Sequence, residues 1–133
     1  MQRLSSMILL KWLLTGLFRI MLHKEEIPDE DYLYRRIHPN HYDPDADKIS
    51  SAAFKGGPET SVDWAKHTTP AKSIHKHPTH HLASIQAKIP RSKEQKVEHS
   101  PSLRNYAHSL IIGKKTTPIA RYLAERSTLI VKR

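Results

Sequence analysis

The stretch from His80 to Gly113 constrains the fold more than any other part of this 133-residue chain. Apolar and polar side chains alternate from Ala83 to Ile89, which is the period of a strand with one buried face. Pro90 to Glu94 has the composition of a turn, and Gln95 to His99 is suited to pair back on the first strand. We therefore predict a hairpin, followed by an apolar inner strand or short helix over Tyr106 to Ile112.

Two threonine–proline pairs indicate short helices. Threonine caps a helix N-terminus and proline fits its first turn, so helices are predicted at Thr69-Pro70 and Thr117-Pro118. Four further segments are predicted as strands: Tyr32–Ile37, Lys48–Phe54, Thr60–Trp64 and Thr128–Val131. These elements predict a small α+β domain, a mostly antiparallel sheet with two short helices, plus an amphipathic helix at the N-terminus.

Composition divides the chain into three parts. Residues 1–22 form an apolar, amphipathic N-terminal segment, residues 23–31 an acidic linker, and residues 32–133 the single α+β domain. Only 38% of the residues are hydrophobic, and many of these lie in the first segment. The core of the domain is therefore expected to be thin.

Three interpretations of the N-terminal segment remain open. A spacing of four residues places Lys11, Arg19 and His23 on one stripe of a helix. Such a helix could lie on an anionic membrane surface through residues 4–22, or it could pack on the domain or on a partner protein. Alternatively, Met21 is the true start and the residues before it carry no function. No apolar run reaches the length of a membrane-spanning helix.

The net charge of +9 is unevenly distributed along the chain. Residues 49–133 carry fifteen basic and five acidic side chains, a net charge of +10, whereas residues 23–48 carry −4. Such a basic body favours a polyanion partner, nucleic acid above all, although a solvated basic surface would have the same composition. The hairpin and the residues after it supply the candidate phosphate contacts: Lys88, Arg91, Lys93, Lys96, Arg104, Lys114 and Lys115.

Several classes of chemistry are excluded by composition. The chain has no cysteine, which excludes disulfides and thiolate chemistry and is compatible with a cytoplasmic location. There is no phosphate-binding glycine loop and the acids of the body are scattered, so we predict neither a cofactor nor a metal. Four histidines cluster in one segment: His75, His77, His80 and His81. Imidazoles can bind zinc or copper, but all four lie in a single connector that a proline interrupts, which favours a solvated basic loop over a metal site.

One histidine stands apart from that cluster. His108 lies in the apolar run Tyr106–Ile112 and is expected to be largely buried, either as a core histidine or as a general base. Asp63 is its natural acidic counterpart, and Arg36 could hold a phosphate or a carboxylate. Together with Ser61 these residues have the side-chain types of a hydrolase triad, without the G-x-S-x-G turn that would mark one.

The chain resembles a set of small uncharacterised bacterial proteins in three segments, Ser50–Phe54 (SSAAF), Ser61–Asp63 (SVD) and the Asn105-x-x-His108 block. The likeness covers residues 32–125 and includes a basic residue near the start, Arg35 or Arg36, but implies no activity. A more distant similarity, to NAD-consuming ADP-ribosyl transfer folds, would give roles to Arg36 and Ser61. The late catalytic glutamate of those folds has no match near the final strands.

Two functional hypotheses follow, together with the membrane tether described above. The leading one is a small cytoplasmic module that binds nucleic acid or another polyanion. The alternative is a small enzyme that acts on a phosphorylated or nucleotide-like substrate through Arg36, Ser61, Asp63 and His108. Convergence of these four side chains in the folded chain would favour the enzyme, and their dispersal would favour the binding module.

Overall fold

The fold is described by a computed structural model that covers residues 22–133. Its eight strands are β1 (Tyr32–Ile37), β2 (Tyr42–Asp43), β3 (Lys48–Ile49), β4 (Glu59–Trp64), β5 (His81–Gln86), β6 (Lys96–His99), β7 (His108–Ile112) and β8 (Thr128–Val131). Its three α-helices are α1 (Pro70–Ile74), α2 (Lys88–Arg91) and α3 (Thr117–Glu125). Single 3₁₀ turns cover Pro39–His41, Ser51–Phe54 and Ala65–His67. The α+β class is confirmed.

Six of these strands form one sheet in the order β6-β7-β4-β1-β5-β8, and every neighbouring pair is antiparallel. The first strand of the sheet is therefore central, between β4 and β5. The remaining two strands, β2 and β3, pair as a separate short ribbon. Because side chains alternate along each strand, the register decides which residues share a face of the sheet.

One face of the sheet carries the main core. Leu33 and Ile37 of β1 are fully buried, and they belong to the same apolar cluster as Phe54 of the Ser51–Phe54 turn and Leu123 of α3. Helix α3 begins where the side chain of Thr116 accepts a hydrogen bond from the backbone of Ile119, one residue before the predicted cap. Burial of this face, rather than intrinsic helix propensity, holds the short helix on the sheet.

The opposite face is only half covered. Helix α1 packs against β1 and β5, where Leu82 is fully buried in register with Arg36. Over β4 and β7 the same face is more open, because Ser61 is exposed and Leu110, its partner in register, is half-buried. This face, called the half-open face below, therefore presents a polar surface of β4 and β7 next to the short helix α1.

The predicted hairpin is wrong. Strand β5 pairs with β1 and β8, and β6 pairs with β7, so the two segments are not neighbours. The turn between them contains α2, so there are three short helices rather than two. The chain leaves the sheet at Ala87 because the backbone N–H groups of Ala87 and Lys88 donate to carbonyls of Asp31 and Asp29. The alternation from Ala83 identified a strand correctly but carried no information about its partner.

The predicted strand Lys48–Phe54 is also shorter than expected. Only Lys48 and Ile49 are extended, and Ser51–Phe54 forms a 3₁₀ turn instead. The Ser50 side chain accepts a hydrogen bond from the backbone N–H of Ala52, which caps that turn. Serine at this position therefore ends the strand.

The hypotheses about the N-terminal segment concern residues that, apart from Leu22, lie outside the described part of the chain. Within residues 22–133 no helix is long and apolar enough to cross a membrane. The acidic segment that follows lies against the domain, because Ile27 is only 3% exposed and belongs to the main core. Its carboxylates reach side chains of the sheet and the loops, as described below.

Candidate functional site

The four side chains singled out in the sequence converge on the half-open face of the sheet. Asp63 of β4 is in register with His108 of β7 and with Tyr34 of β1, which places all three on that face. Arg36 Nη1 lies 3.2 Å from Asp63 Oδ2, and His108 Nε2 lies 3.4 Å from Ser61 Oγ. The four side chains thus form two contacting pairs, Arg36 with Asp63 and Ser61 with His108.

Asp63 is an anchor rather than the partner of His108. Its side chain is 4% exposed and its carboxylate accepts three hydrogen bonds. Ser73 Oγ of α1 donates to Oδ2 at 2.6 Å, Arg36 Nη1 donates to Oδ2 at 3.2 Å, and Asn105 Nδ2 donates to Oδ1 at 2.7 Å. A buried carboxylate needs such partners. Asp63 thus joins β1, α1 and the loop before β7.

The chemistry of its contacts fixes the tautomer of neutral His108. Nδ1 lies 2.8 Å from the carbonyl oxygen of Ser100, and a carbonyl only accepts, so Nδ1 carries the proton. Nε2 is then unprotonated and accepts from the Ser61 hydroxyl. Ser61 is exposed and His108 is half-buried, so the expectation that His108 is largely buried is wrong. Its ring points to the half-open face because His108 is in register with Asp63.

Arg36 keeps donors available for a ligand. Its Nη1 donates to Asp63 and, at 3.0 Å, to the Ser73 carbonyl. Within the described part of the chain, the other guanidinium nitrogens have no hydrogen-bond partner, and 31% of the side chain is exposed. The preceding arginine, Arg35, lies on the core face and donates to carbonyls of Ala53 and Ser61. Burial lowers the pKa of Arg35, and repulsion from Arg36 lowers it further.

Three residues that hold the site in place were not assigned a role from sequence: Ser73, Ser100 and Asn105. Asn105 had a signal, because it stands three residues before His108 in the Asn-x-x-His block. The hydroxyl of Ser73 and the carbonyl of Ser100 had none, since their contacts arise from the docking of α1 and from the corner between β6 and β7.

A second polar cluster lies where the acidic segment meets the domain. The Glu25 carboxylate lies 2.8 Å from Lys66 Nζ, 2.7 Å from Tyr106 OH and 2.7 Å from His67 Nε2. The imidazole contact is close but poorly aligned for a hydrogen bond, so it is an ionic contact whenever His67 is protonated. The hydrogen bonds from Lys66 and then Tyr106 lower the pKa of Glu25 from 4.5 to about 2. The bond to Glu25 raises the pKa of Tyr106.

The lowered pKa of Glu25 predicts an acid-dependent loss of stability. The folded chain favours the carboxylate, so its contribution is complete above pH 4.5 and disappears as the pH falls toward about 2. We expect Glu25→Gln to be less stable than the wild type at about pH 7, and the difference to shrink through that window. Urea unfolding at several pH values measures it. Glu26→Gln, at an exposed neighbouring position, is the matched control, and a difference independent of pH would contradict the prediction.

The seven candidate phosphate contacts have different environments. Lys96, Arg104 and Lys114 are exposed. Three others contact the protein itself: Lys88 lies 3.5 Å from Glu30, Arg91 lies 2.7 Å from Asp29, and Lys93 lies over the ring of Tyr122. The last, Lys115, is 8% exposed and donates to carbonyls of Pro58, Ile111 and Gly113. The seven therefore do not form one uniform free basic surface.

The histidines of the connector before β5 lie next to His38, which precedes the Pro39–His41 turn. The ring of His80 lies 5.3 Å from that of His38 and 5.0 Å from that of His77. Burial lowers the pKa of both His77 and His80, so both favour the neutral form. His81 is buried and accepts from the backbone N–H of Arg133. Within residues 22–133 no three histidine or carboxylate side chains stand where they could hold a metal ion.

A cavity of about 790 Å³ lies elsewhere in the molecule, between the β2–β3 ribbon, α3 and β8. Its lining includes Tyr42, Asp47, Arg121 and Lys132, and none of the four converging residues. Two of its charges already pair with each other, since Asp47 lies 3.0 Å from Lys132. Comparison of the chain with protein-family models, curated proteins and solved structures finds no match.

Proposed function

We propose that the chain is a small enzyme that acts on a phosphorylated or nucleotide-like substrate at the Ser61–His108 pair. One observation carries the proposal: an unprotonated imidazole nitrogen, an exposed serine hydroxyl and a partly free arginine share the half-open face of the sheet. An exposed surface site built on rigid strands is suited to chemistry, because the strands fix the geometry of the reacting groups.

The roles follow from the contacts. His108 Nε2 is the general base, which removes a proton from the Ser61 hydroxyl or from a substrate hydroxyl that takes its place. The Ser100 carbonyl holds the other ring nitrogen, as the orienting group does in a triad. Arg36 binds an anionic group of the substrate through its free nitrogens, and Asp63 holds Arg36. Asp63 is therefore a positioning residue in this proposal.

The test is a panel of phosphate monoesters, phosphodiesters and nucleotides, assayed with the wild type and with three variants. We expect His108→Gln to lower turnover by about 100-fold, the usual contribution of a general base. Ser61→Ala should lower it comparably if the serine is the nucleophile, and Arg36→Lys should mainly raise KM. Ser84→Ala, half-buried on the same face beside β1, is the matched control. Turnover unchanged in all three variants would refute the enzyme.

Polyanion binding is the second candidate, and exposure of Lys96, Arg104 and Lys114 supports it. Lys96 is in register with Ile112, so it lies on the same face as the Ser61–His108 pair. Neutralising these three side chains should weaken binding to duplex RNA or DNA and reduce the dependence of log K on log salt by about 0.9 per lost phosphate contact. A triple glutamine variant at Lys24, Lys72 and Lys76, which are also exposed, is the control. Equal effects of both triple variants would refute a specific polyanion-binding surface at Lys96, Arg104 and Lys114.

The cytoplasm is the proposed location for either activity.

A further inference from the structure

Glu25 and His108 are far apart in the sequence, but two residues that contact Glu25 adjoin the residues that hold His108. The backbone N–H of Glu25 donates to His99 Nδ1 at 3.0 Å, and its carboxylate accepts from Tyr106 OH at 2.7 Å. His99 is 2% exposed and ends β6, and Tyr106 precedes β7. The acidic segment thus contacts both sides of the corner that joins these strands.

His99 makes the corner rigid through its own tautomer. Its Nε2 lies 2.6 Å from the Tyr106 carbonyl oxygen, which only accepts, so Nε2 carries the proton. Nδ1 is therefore free to accept from the Glu25 backbone, and both ring nitrogens are satisfied. Tyr106 is held at both ends, at its hydroxyl by the Glu25 carboxylate and the His23 carbonyl, and at its own carbonyl by His99.

The residues next to these two hold the Ser61–His108 pair. Ser100 follows His99, and its carbonyl accepts from His108 Nδ1. Asn105 precedes Tyr106, and it donates to Asp63 and accepts from the backbone N–H of His108. Displacement of the corner would therefore alter the contact that selects the tautomer of His108 and the contact that holds Asp63 at the same time.

We infer that the Glu25 carboxylate is a positioning group for His108, which it holds in the Nδ1–H tautomer through Tyr106, while the backbone N–H of Glu25 holds His99. The inference rests on the proposed role of His108, but its test does not require a substrate. The groups that face the Glu25 carboxylate are Lys66 and His67 from the turn after β4 and Tyr106 from the corner, so no acidic side chain competes for them among these contacts.

The test measures the side-chain ¹⁵N shifts of His108 by NMR at a pH where imidazole is neutral. In the wild type the Nδ1–H form should dominate. In Glu25→Ala the Tyr106 hydroxyl keeps only the His23 carbonyl as an acceptor, and the ratio of Nδ1–H to Nε2–H should fall by at most about tenfold, the equivalent of one lost hydrogen bond. Glu25→Gln, which keeps an acceptor for the Tyr106 hydroxyl, should retain part of the ratio. Glu26→Ala, at the exposed neighbouring position, should leave it unchanged.

Amide hydrogen exchange gives a second readout on the same variants. Exchange at Ala107 and His108 should accelerate in Glu25→Ala relative to amides in the centre of β5, since only the corner is loosened. A variant that is less stable overall, yet keeps the His108 tautomer ratio and the exchange pattern of the corner, would overturn the inference. A changed ratio combined with turnover that survives His108→Gln would instead refute the proposed enzyme and leave the positioning role intact.

Discussion

Replacement of Asp63 by alanine is expected to lower the free energy of unfolding by about 3 kcal/mol, since it removes one side of a buried ion pair. The change strips the partner from Arg36 and leaves the donors of Ser73 and Asn105 without an acceptor. About a third of the Arg36 side chain is exposed, which allows water to replace part of the lost contact, so we choose the lower end of the usual range. Urea denaturation at neutral pH measures the change.

Two further variants isolate the cause. Glu59→Ala alters a carboxylate on the same face of the same strand, but Glu59 is exposed, so we expect a change within about 0.5 kcal/mol. Asp63→Asn keeps the shape and removes the charge, and it should fall between the wild type and Asp63→Ala. If Asp63→Ala costs less than about 1 kcal/mol, Asp63 does not anchor the site.

Replacement of Lys115 by methionine is expected to lower the free energy of unfolding by about 2 kcal/mol, because three carbonyl groups lose their donor. Its ammonium group donates to Pro58, Ile111 and Gly113 at 2.9–3.0 Å, and it thereby ties the entry of β4 to the end of β7. Burial lowers the pKa of Lys115, which reflects the removal of its charge from water. Methionine fills a similar volume, so the loss reports the hydrogen bonds rather than a cavity.

The adjacent lysine provides the control for this second variant. Lys114 is exposed, and Lys114→Met should change stability by no more than about 0.5 kcal/mol. The same pair separates stability from polyanion binding. If the second candidate function is correct, Lys114→Met should reduce the salt dependence of binding, and Lys115→Met should not. Equal destabilisation by the two substitutions would contradict the claim that the hydrogen bonds from Lys115 to the three carbonyls stabilise the fold.

The placement of Ser61, Asp63 and His108 on one face of the sheet could be predicted from the sequence, because side chains alternate between the two faces along a strand. A strand over Thr60–Trp64 places Ser61 and Asp63 on one face, and a strand that contains His108 can present it to the same face. The division into two pairs could not be predicted. Asp63 turns to Arg36 because α1 brings Ser73 over that end of β4, and the docking of a five-residue helix leaves no periodic signal in the sequence.

The burial of individual charged side chains could not be predicted from the sequence either. Lys114 and Lys115 are identical neighbours in the sequence, yet Lys114 is exposed and the ammonium group of Lys115 is enclosed by the carbonyls of Pro58, Ile111 and Gly113. Glu25 and Ile27 belong to the segment that composition predicts to be an acidic linker. An isoleucine within an acidic run was the one indication that this segment packs against the domain.

The position of β1 at the centre of the sheet has a consequence for biosynthesis. Among the strands of the sheet, β1 is synthesised before its neighbours β4 and β5, and β5 stays an open edge until β8 has been synthesised. During translation the nascent sheet would expose unpaired backbone on both sides of its oldest strand. Ribosome-stalled chains that lack β8 should therefore recruit more chaperone than stalled chains in which β8 has left the ribosome.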